Sequence, residues 1–163
     1  MAYEQSDILH EIIEKAVEDL NCRRGNVQLF LKEEQRKCLF SLLGGRDVLA
    51  VLPTGFGKSL IFTLFVISME LKKNSPSSIL VISPLTSIMV DQICELKDVG
   101  FSAVMLSSKE SFESTAQFIF ASAELALSMN FISLLKKKSS IYSLLDAIVV
   151  DESHVVETWT GKR

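Results

Sequence analysis

Two short stretches of this chain combine residue types at a spacing that can act on a phosphoanhydride. The first, Asp47 to Ile61, reads DVLAVLPTGFGKSLI. Val48 to Leu52 is an unbroken apolar run, as in a strand covered on both faces of a parallel sheet, and Pro53 stops it. Gly55 and Gly57 can take positive φ angles and bring the backbone close to a ligand, so that successive N–H groups meet phosphate oxygens. Lys58 adds a point charge for the β and γ phosphates, and Ser59 offers a hydroxyl to Mg²⁺. The helix opening there turns the positive end of its dipole toward the same anion. Thr54, Gly55, Phe56, Gly57, Lys58 and Ser59 are therefore the candidate set for a nucleoside triphosphate. The strict pattern G-x-x-x-x-G-K-[ST] lacks its first glycine, since Leu52 stands there. The plain alternative is a glycine turn followed by a surface lysine.

The second stretch is Asp146 to His154, an apolar strand that ends in Asp151, Glu152, Ser153 and His154. Mg²⁺-dependent cleavage of a phosphoanhydride needs one acid to hold the metal and another to handle the attacking water. Asp151 fits the metal, and Glu152 fits the base that orients and deprotonates water. The plain alternative is that both cap a helix N-terminus.

Elements must exist to hold these groups, and the hydrophobic spacing supplies them. Ser6 to about Leu20 predicts a helix with Ile8, Leu9, Ile12, Ile13, Ala16, Val17 and Leu20 on one face; His10 lies near that face as a boundary residue without chemistry. A second helix spans about Lys32 to Leu43 and ends at Gly44 and Gly45. A third runs from Lys58 to about Lys72. Ile79 to Ile82 is a buried strand, followed by a helix over Leu85 to Leu96 with Ile88, Met89, Ile93 and Leu96 inward. Phe101 to Leu106 and Gln117 to Ala121 are further strands, joined by a polar connection with a short helix over Ser107 to Thr115. A helical stretch from about Ala123 to Leu135, broken near Asn130, finishes in Lys136, Lys137 and Lys138, a solvated helix end. With Val48 to Leu52 and Asp146 to Val150 this makes five strands alternating with helices, the pattern of an α/β domain with a parallel sheet. Ligands in such sheets bind beyond the carboxyl ends of the strands, where both stretches lie.

At 163 residues and 48% hydrophobic, the chain suits one domain with a real core. A formal charge of -3 gives no basic footprint, so nucleic acid contact must come from local groups. Cys22, Cys38 and Cys94 are odd in number and lack metal-ligand spacing, which predicts reduced thiols packed as small hydrophobes in an intracellular protein. The N-terminus has no signal-peptide pattern. The longest apolar segment, Leu60 to Leu71, is too short to span a bilayer, so no membrane partner is expected.

PTGFGKS, then SPLTSIMVDQ at Ser83 to Gln92, then DESH at Asp151 to His154 followed by Trp159, resemble the first motor lobe of superfamily 2 DExH helicases, and within them the RecQ family. The resemblance spans about Leu31 to Arg163. It implies a P-loop NTPase (RecA-like) lobe that binds ATP and Mg²⁺, with residues 1–30 as an N-terminal helix and turn. By the same resemblance Gln35 corresponds to the glutamine that reads adenine, its amide both donating and accepting. Lys32 stands where the family has arginine and Leu31 where it has an aromatic residue. Ser83, Thr86 and Ser87 correspond to the segment that grips single-stranded DNA phosphates; capping the helix after Pro84 is their plain alternative. FASAE at Phe120 to Glu124 resembles a later family segment, with Ala123 in place of its proline. His154 would link nucleotide state to DNA state, and Trp159 would offer a stacking surface for a base; a lone Trp near a domain end is otherwise core or interface.

The resemblance implies an ATP-dependent 3′ to 5′ DNA helicase acting on single-stranded or partly duplex DNA, with repair or recombination in the nucleus as its setting. It stops short of the second motor lobe, which in relatives supplies an arginine to the transferred phosphoryl group. In relatives the strand after DExH inserts between the phosphate-loop strand and the DExH strand. Without it, the chain is expected to be marginal, or the two strands to pair directly. The alternative function is a truncated, catalytically inactive module that holds ATP or DNA. A P-loop kinase or GTPase is disfavoured by DESH, by the Gln35 spacing and by the missing guanine-reading motif.

Overall fold

The computed structural model describes residues 2–25, 27–53, 55–106, 116–136 and 145–152, leaving aside the side chains of 2–5 and 134–136. They fall into two compact units, Met1–Pro76 and Ser77–Arg163.

The first unit is helical. α1 (Ala2–Arg23), α2 (Glu33–Leu43) and α3 (Lys58–Lys73) follow the apolar periodicities, and α1 and α2 both pack on α3. Leu9, Ile13, Ala16, Val17 and Leu20 of α1 are buried, as are Leu39 and Leu43 of α2. In α3 every residue from Ile61 to Ser68 is buried. Each large apolar side chain so removed from water contributes about 1.5–3 kcal/mol. Asn21 Oδ1 accepts from Leu29 N at 2.9 Å and ties the α1–α2 connection to α1. Lys72 Nζ donates to the Leu43 carbonyl at 2.6 Å, placing a cation on the negative end of α2. His10 is exposed and rests its ring on Phe40, centroids 4.9 Å apart.

One predicted strand is not there. Val48 to Leu52 takes no strand conformation, and Leu49 and Val51 are 83% and 88% exposed. An apolar run specifies which faces want burial, but a strand exists only where a neighbour completes its hydrogen bonds. The predicted phosphate loop is therefore reached by a segment that belongs to no sheet.

The second unit carries a four-stranded, all-parallel sheet in the order β2-β3-β1-β4, the α/β class predicted. β1 is Ser78–Ser83, β2 Ala103–Met105, β3 Phe118–Ser122 and β4 Leu145–Val150; α4 (Thr86–Asp98), α5 (Ala123–Ala126) and α6 (Met129–Lys136) complete it. Register pairs Leu80 with Ile119 and with Ile148, and Val81 with Phe120 and with Val149. One side of the sheet packs Leu80, Ile119 and Ala121 with Leu106, Ala116 and Phe131. From the other, Phe118 meets the ring of Phe101 edge-on at 5.4 Å. α4 packs against β1 and β2 and buries Met89, Ile93 and Leu96. The helical stretch after β3 is broken as expected, at Leu127 and Ser128, where the Ser128 hydroxyl accepts from Phe131 N at 3.3 Å and starts α6 afresh. The Ser107 to Thr115 connection, Lys137 and Lys138 lie outside the described residues.

The thiols are less buried than expected: Cys22 and Cys94 are exposed and Cys38 half-buried, all three unpaired by disulfides. Cys94 follows inward-facing Ile93 by one residue, and the helical period carries it outward. Among the described residues, no helix is long and apolar enough to cross a membrane.

Candidate functional site

The predicted phosphate loop is closed by a backbone hydrogen bond. Phe56 N donates to the Pro53 carbonyl at 3.2 Å, and Gly55 and Gly57 take φ of 76° and 85°, the left-handed region that glycine enters freely. Gly57 is the N-cap of α3, so no side chain caps this helix. Its first turn also holds no acid. Lys58 and Ser59 open that turn, Lys58 half-buried and Ser59 exposed. Thr63 Oγ1 donates back to the Ser59 carbonyl at 2.9 Å. An uncapped, cation-bearing N-terminus without local negative charge is suited to an anion.

Gln35 joins this loop. It is 2% exposed, and its Nε2 donates to the Phe56 carbonyl at 2.8 Å and the Gly57 carbonyl at 3.3 Å. Its Oε1 accepts from Lys32 N at 2.9 Å, which secures the start of α2. A Cβ on Gly57 would sit 2.8 Å from Gln35 Nε2, so a side chain there would displace the Gln35 amide, beyond the strain of its φ. The Lys32 ammonium lies 3.9 Å from the centre of the Phe56 ring, a cation–π contact. Of the predicted nucleotide set the structure thus brings Gln35, Phe56 and Gly57 together, with Lys58 and Ser59 next in the chain. Thr54 lies outside the described residues.

In the second unit the carboxyl rim of the sheet gathers the other candidates. Val150 is paired with Ile82, and Asp151 N donates to the Ile82 carbonyl at 2.9 Å, so Asp151 and Ser83 leave neighbouring strands at one level. Asp151 Oδ1 accepts from Glu152 N at 2.9 Å. Glu152 takes φ of 53°, a strained conformation for a side-chain-bearing residue and one that clusters at functional sites. Thr86 and Ser87 are exposed in the first turn of α4, a helix without a side-chain cap. Ser83 differs: it is fully buried, and its hydroxyl has no hydrogen-bond partner among the described residues. In this conformation Thr86 and Ser87 face solvent and Ser83 does not. His154 and Trp159 lie outside the described residues.

No model of spacing shows Lys32 over Phe56 or Gln35 against Gly57, because the partners are more than twenty residues apart. Apart from the family resemblance Gln35 would pass as a surface residue of its helix, and the structure buries it instead. The strain at Glu152 carries no signature of its own.

The chain matches the DEAD/DEAH box helicase family over residues 32–163. It belongs to that family. Its homologues are RecQ-family helicases. ATP-dependent DNA helicase RecQ of Haemophilus influenzae is 31% identical over 167 aligned residues, covering 94% of this chain and 25% of that protein. ATP-dependent DNA helicase Q-like 5 of Arabidopsis thaliana is 30% identical, over 79% of this chain and 14% of that protein. ATP-dependent helicase SGS1 of Saccharomyces cerevisiae is 34% identical, over 78% and 10%. This helicase-family chain therefore spans between a tenth and a quarter of the length of these relatives. The matched segment contains the phosphate loop, Gln35 and the acid pair.

Among the described residues no three His, Cys, Asp or Glu side chains cluster as a metal cage. A Mg²⁺ ion needs no such cage, since it takes hard oxygen donors, keeps several waters and leans on substrate phosphates. The Ser59 hydroxyl and the Asp151 carboxylate are donors of that kind.

Proposed function

We propose that this chain is the N-terminal ATP-binding portion of a RecQ-type, 3′ to 5′ ATP-dependent DNA helicase. One observation carries the reading: the buried amide of Gln35 grips the carbonyls of Phe56 and Gly57, so the family's glutamine and its phosphate loop form one built site. Lys58 would bind the phosphates, Ser59 and Asp151 are the oxygen donors that would hold Mg²⁺, and the ion, when bound, would neutralise charge on the triphosphate. Glu152 orients and deprotonates the attacking water, and His154 relays nucleotide state. Thr86 and Ser87, with the uncapped N–H groups of α4, hold single-stranded DNA phosphates, and Trp159 stacks on a base. Unwinding belongs to a longer protein with a second motor lobe, and this portion alone does not turn over at a useful rate. The relatives' names support DNA as the substrate; repair or recombination in the nucleus is the setting proposed.

The test is DNA-stimulated ATP hydrolysis by this chain, alone and joined to the second motor lobe of a relative. Activity in the joined protein that Lys58→Ala or Glu152→Gln abolishes is the expected result. ATP or DNA binding without hydrolysis in either form would instead identify a catalytically inactive binding module.

A further inference from the structure

The amide of Gln35 has two N–H donors and one carbonyl oxygen. Both donors are directed at loop carbonyls, Phe56 O at 2.8 Å and Gly57 O at 3.3 Å, and the oxygen accepts from Lys32 N at 2.9 Å. The side chain is 2% exposed. An adenine edge that used this amide would have to take it from the loop.

What the amide does where it sits follows from peptide geometry. The Phe56 carbonyl and the Gly57 N–H belong to one planar trans peptide, so they point in opposite directions. The Gly57 carbonyl and the Lys58 N–H stand in the same relation, and the chain has no cis peptide among the described residues. Holding both carbonyls toward Gln35 aims both N–H groups away from it, at the side where an anion meets the N-terminus of α3. Gly57 tolerates this only because it has no Cβ, which would lie 2.8 Å from Gln35 Nε2. The Lys32 ammonium at 3.9 Å from the Phe56 ring centre holds the same loop residue by its side chain.

We infer that Gln35 is a positioning residue for the triphosphate: it acts on phosphate binding through the Phe56 and Gly57 peptides, independently of any base. The inference rests on the nucleotide-site reading above and extends it to a ligand that has no base at all. Preorganised donors bind an anion without the cost of ordering the loop at the moment of binding. Without the amide the Phe56 carbonyl loses the Gln35 donor and the Gly57 carbonyl keeps only its 3.1 Å bond from Leu60 N, which lowers that preorganisation.

The experiment is calorimetric titration of the chain with ATP, GTP and inorganic tripolyphosphate, each with Mg²⁺. Gln35→Met keeps the buried volume and removes the amide. Gln35→Glu keeps the size and the acceptor for Lys32 N and removes the donors; it serves if Gln35→Met does not fold, as judged by thermal melting. The expected result is a loss of about tenfold or more for all three ligands alike, the scale of two ordinary hydrogen bonds. A loss confined to ATP, with tripolyphosphate affinity unchanged, overturns the inference and returns Gln35 to base reading alone. Wild-type protein that binds none of the three overturns the nucleotide-site reading, and this inference with it.

Discussion

The Ser77 hydroxyl donates a 2.6 Å hydrogen bond to Asp146 Oδ2, joining the start of β1 to the start of β4 across 69 residues of chain. Ser78 N donates to the same oxygen at 3.4 Å, and the Ser78 hydroxyl turns the other way, to the Ala116 carbonyl at 2.6 Å beside β3. Two adjacent serines thus bind the strands on either side of β1 at the end of the sheet opposite Asp151. The register shift between Ser78 and Ile79 falls at this point.

Asp146→Ala leaves the buried Ser77 hydroxyl without this acceptor, a loss of about 1–3 kcal/mol of stability. Urea unfolding measures it, and Asp146→Asn, which keeps one acceptor oxygen, should cost less. Equal stability of the alanine variant and the wild type would show that the bond carries nothing.

Much of this architecture was legible in the sequence, and the exceptions have physical reasons. α3 was readable because its apolar residues are continuous; α1, α2 and α4 because theirs recur at helical spacing. Ile79 to Ile82 and Val48 to Leu52 look alike as sequence, yet the first lies between two hydrogen-bonded neighbours and the second is no strand. Apolar composition records a wish for burial, while the ladder that makes a strand comes from residues elsewhere in the chain. The same limit applies to the site. Gly55, Gly57, Lys58 and the acid pair could be picked out from residue type and order. That Gln35 spends its amide on Phe56 and Gly57 is a fact of three-dimensional placement. Ser83 was named as a surface contact and is buried, since a strand's last residue has no periodicity of its own to fix its exposure.

Glu152 holds φ of 53°, where a side-chain-bearing residue is strained by about 1 kcal/mol or more. Glu152→Gly therefore raises the unfolding free energy by about 1 kcal/mol, and Glu152→Val, β-branched, lowers it by at least that much. In the protein joined to a second motor lobe, both abolish ATP hydrolysis. A glycine variant that is no more stable than wild type would remove the case for stored strain at the acid pair.

Cys38 is half-buried, and burial raises its thiol above the ordinary range, whereas Cys22 and Cys94 are exposed. The thiolate is the reactive form. Iodoacetamide at mildly alkaline pH should modify Cys22 and Cys94 first and Cys38 last, a ranking that peptide mass spectrometry reads directly. Urea should abolish the difference. Fast labelling of Cys38 in the folded chain would contradict the packing of α2.

Gly55 and Gly57 separate two reasons for glycine. Both have positive φ, 76° and 85°, so alanine at either costs about 1 kcal/mol of backbone strain or more. Beyond that they differ: a Cβ on Gly55 meets nothing within 4 Å, and one on Gly57 lies 2.8 Å from Gln35 Nε2. Gly55→Ala should lose only the backbone amount in urea unfolding. Gly57→Ala should lose more, because it also pushes the Gln35 amide off the loop carbonyls. Combining Gly57→Ala with Gln35→Ala relieves the clash without relieving φ. The double variant should therefore lose less than the sum of its two single changes, since the Gln35 contact can be broken only once. Strict additivity would mean that the close approach of Gln35 to Gly57 has no energetic weight.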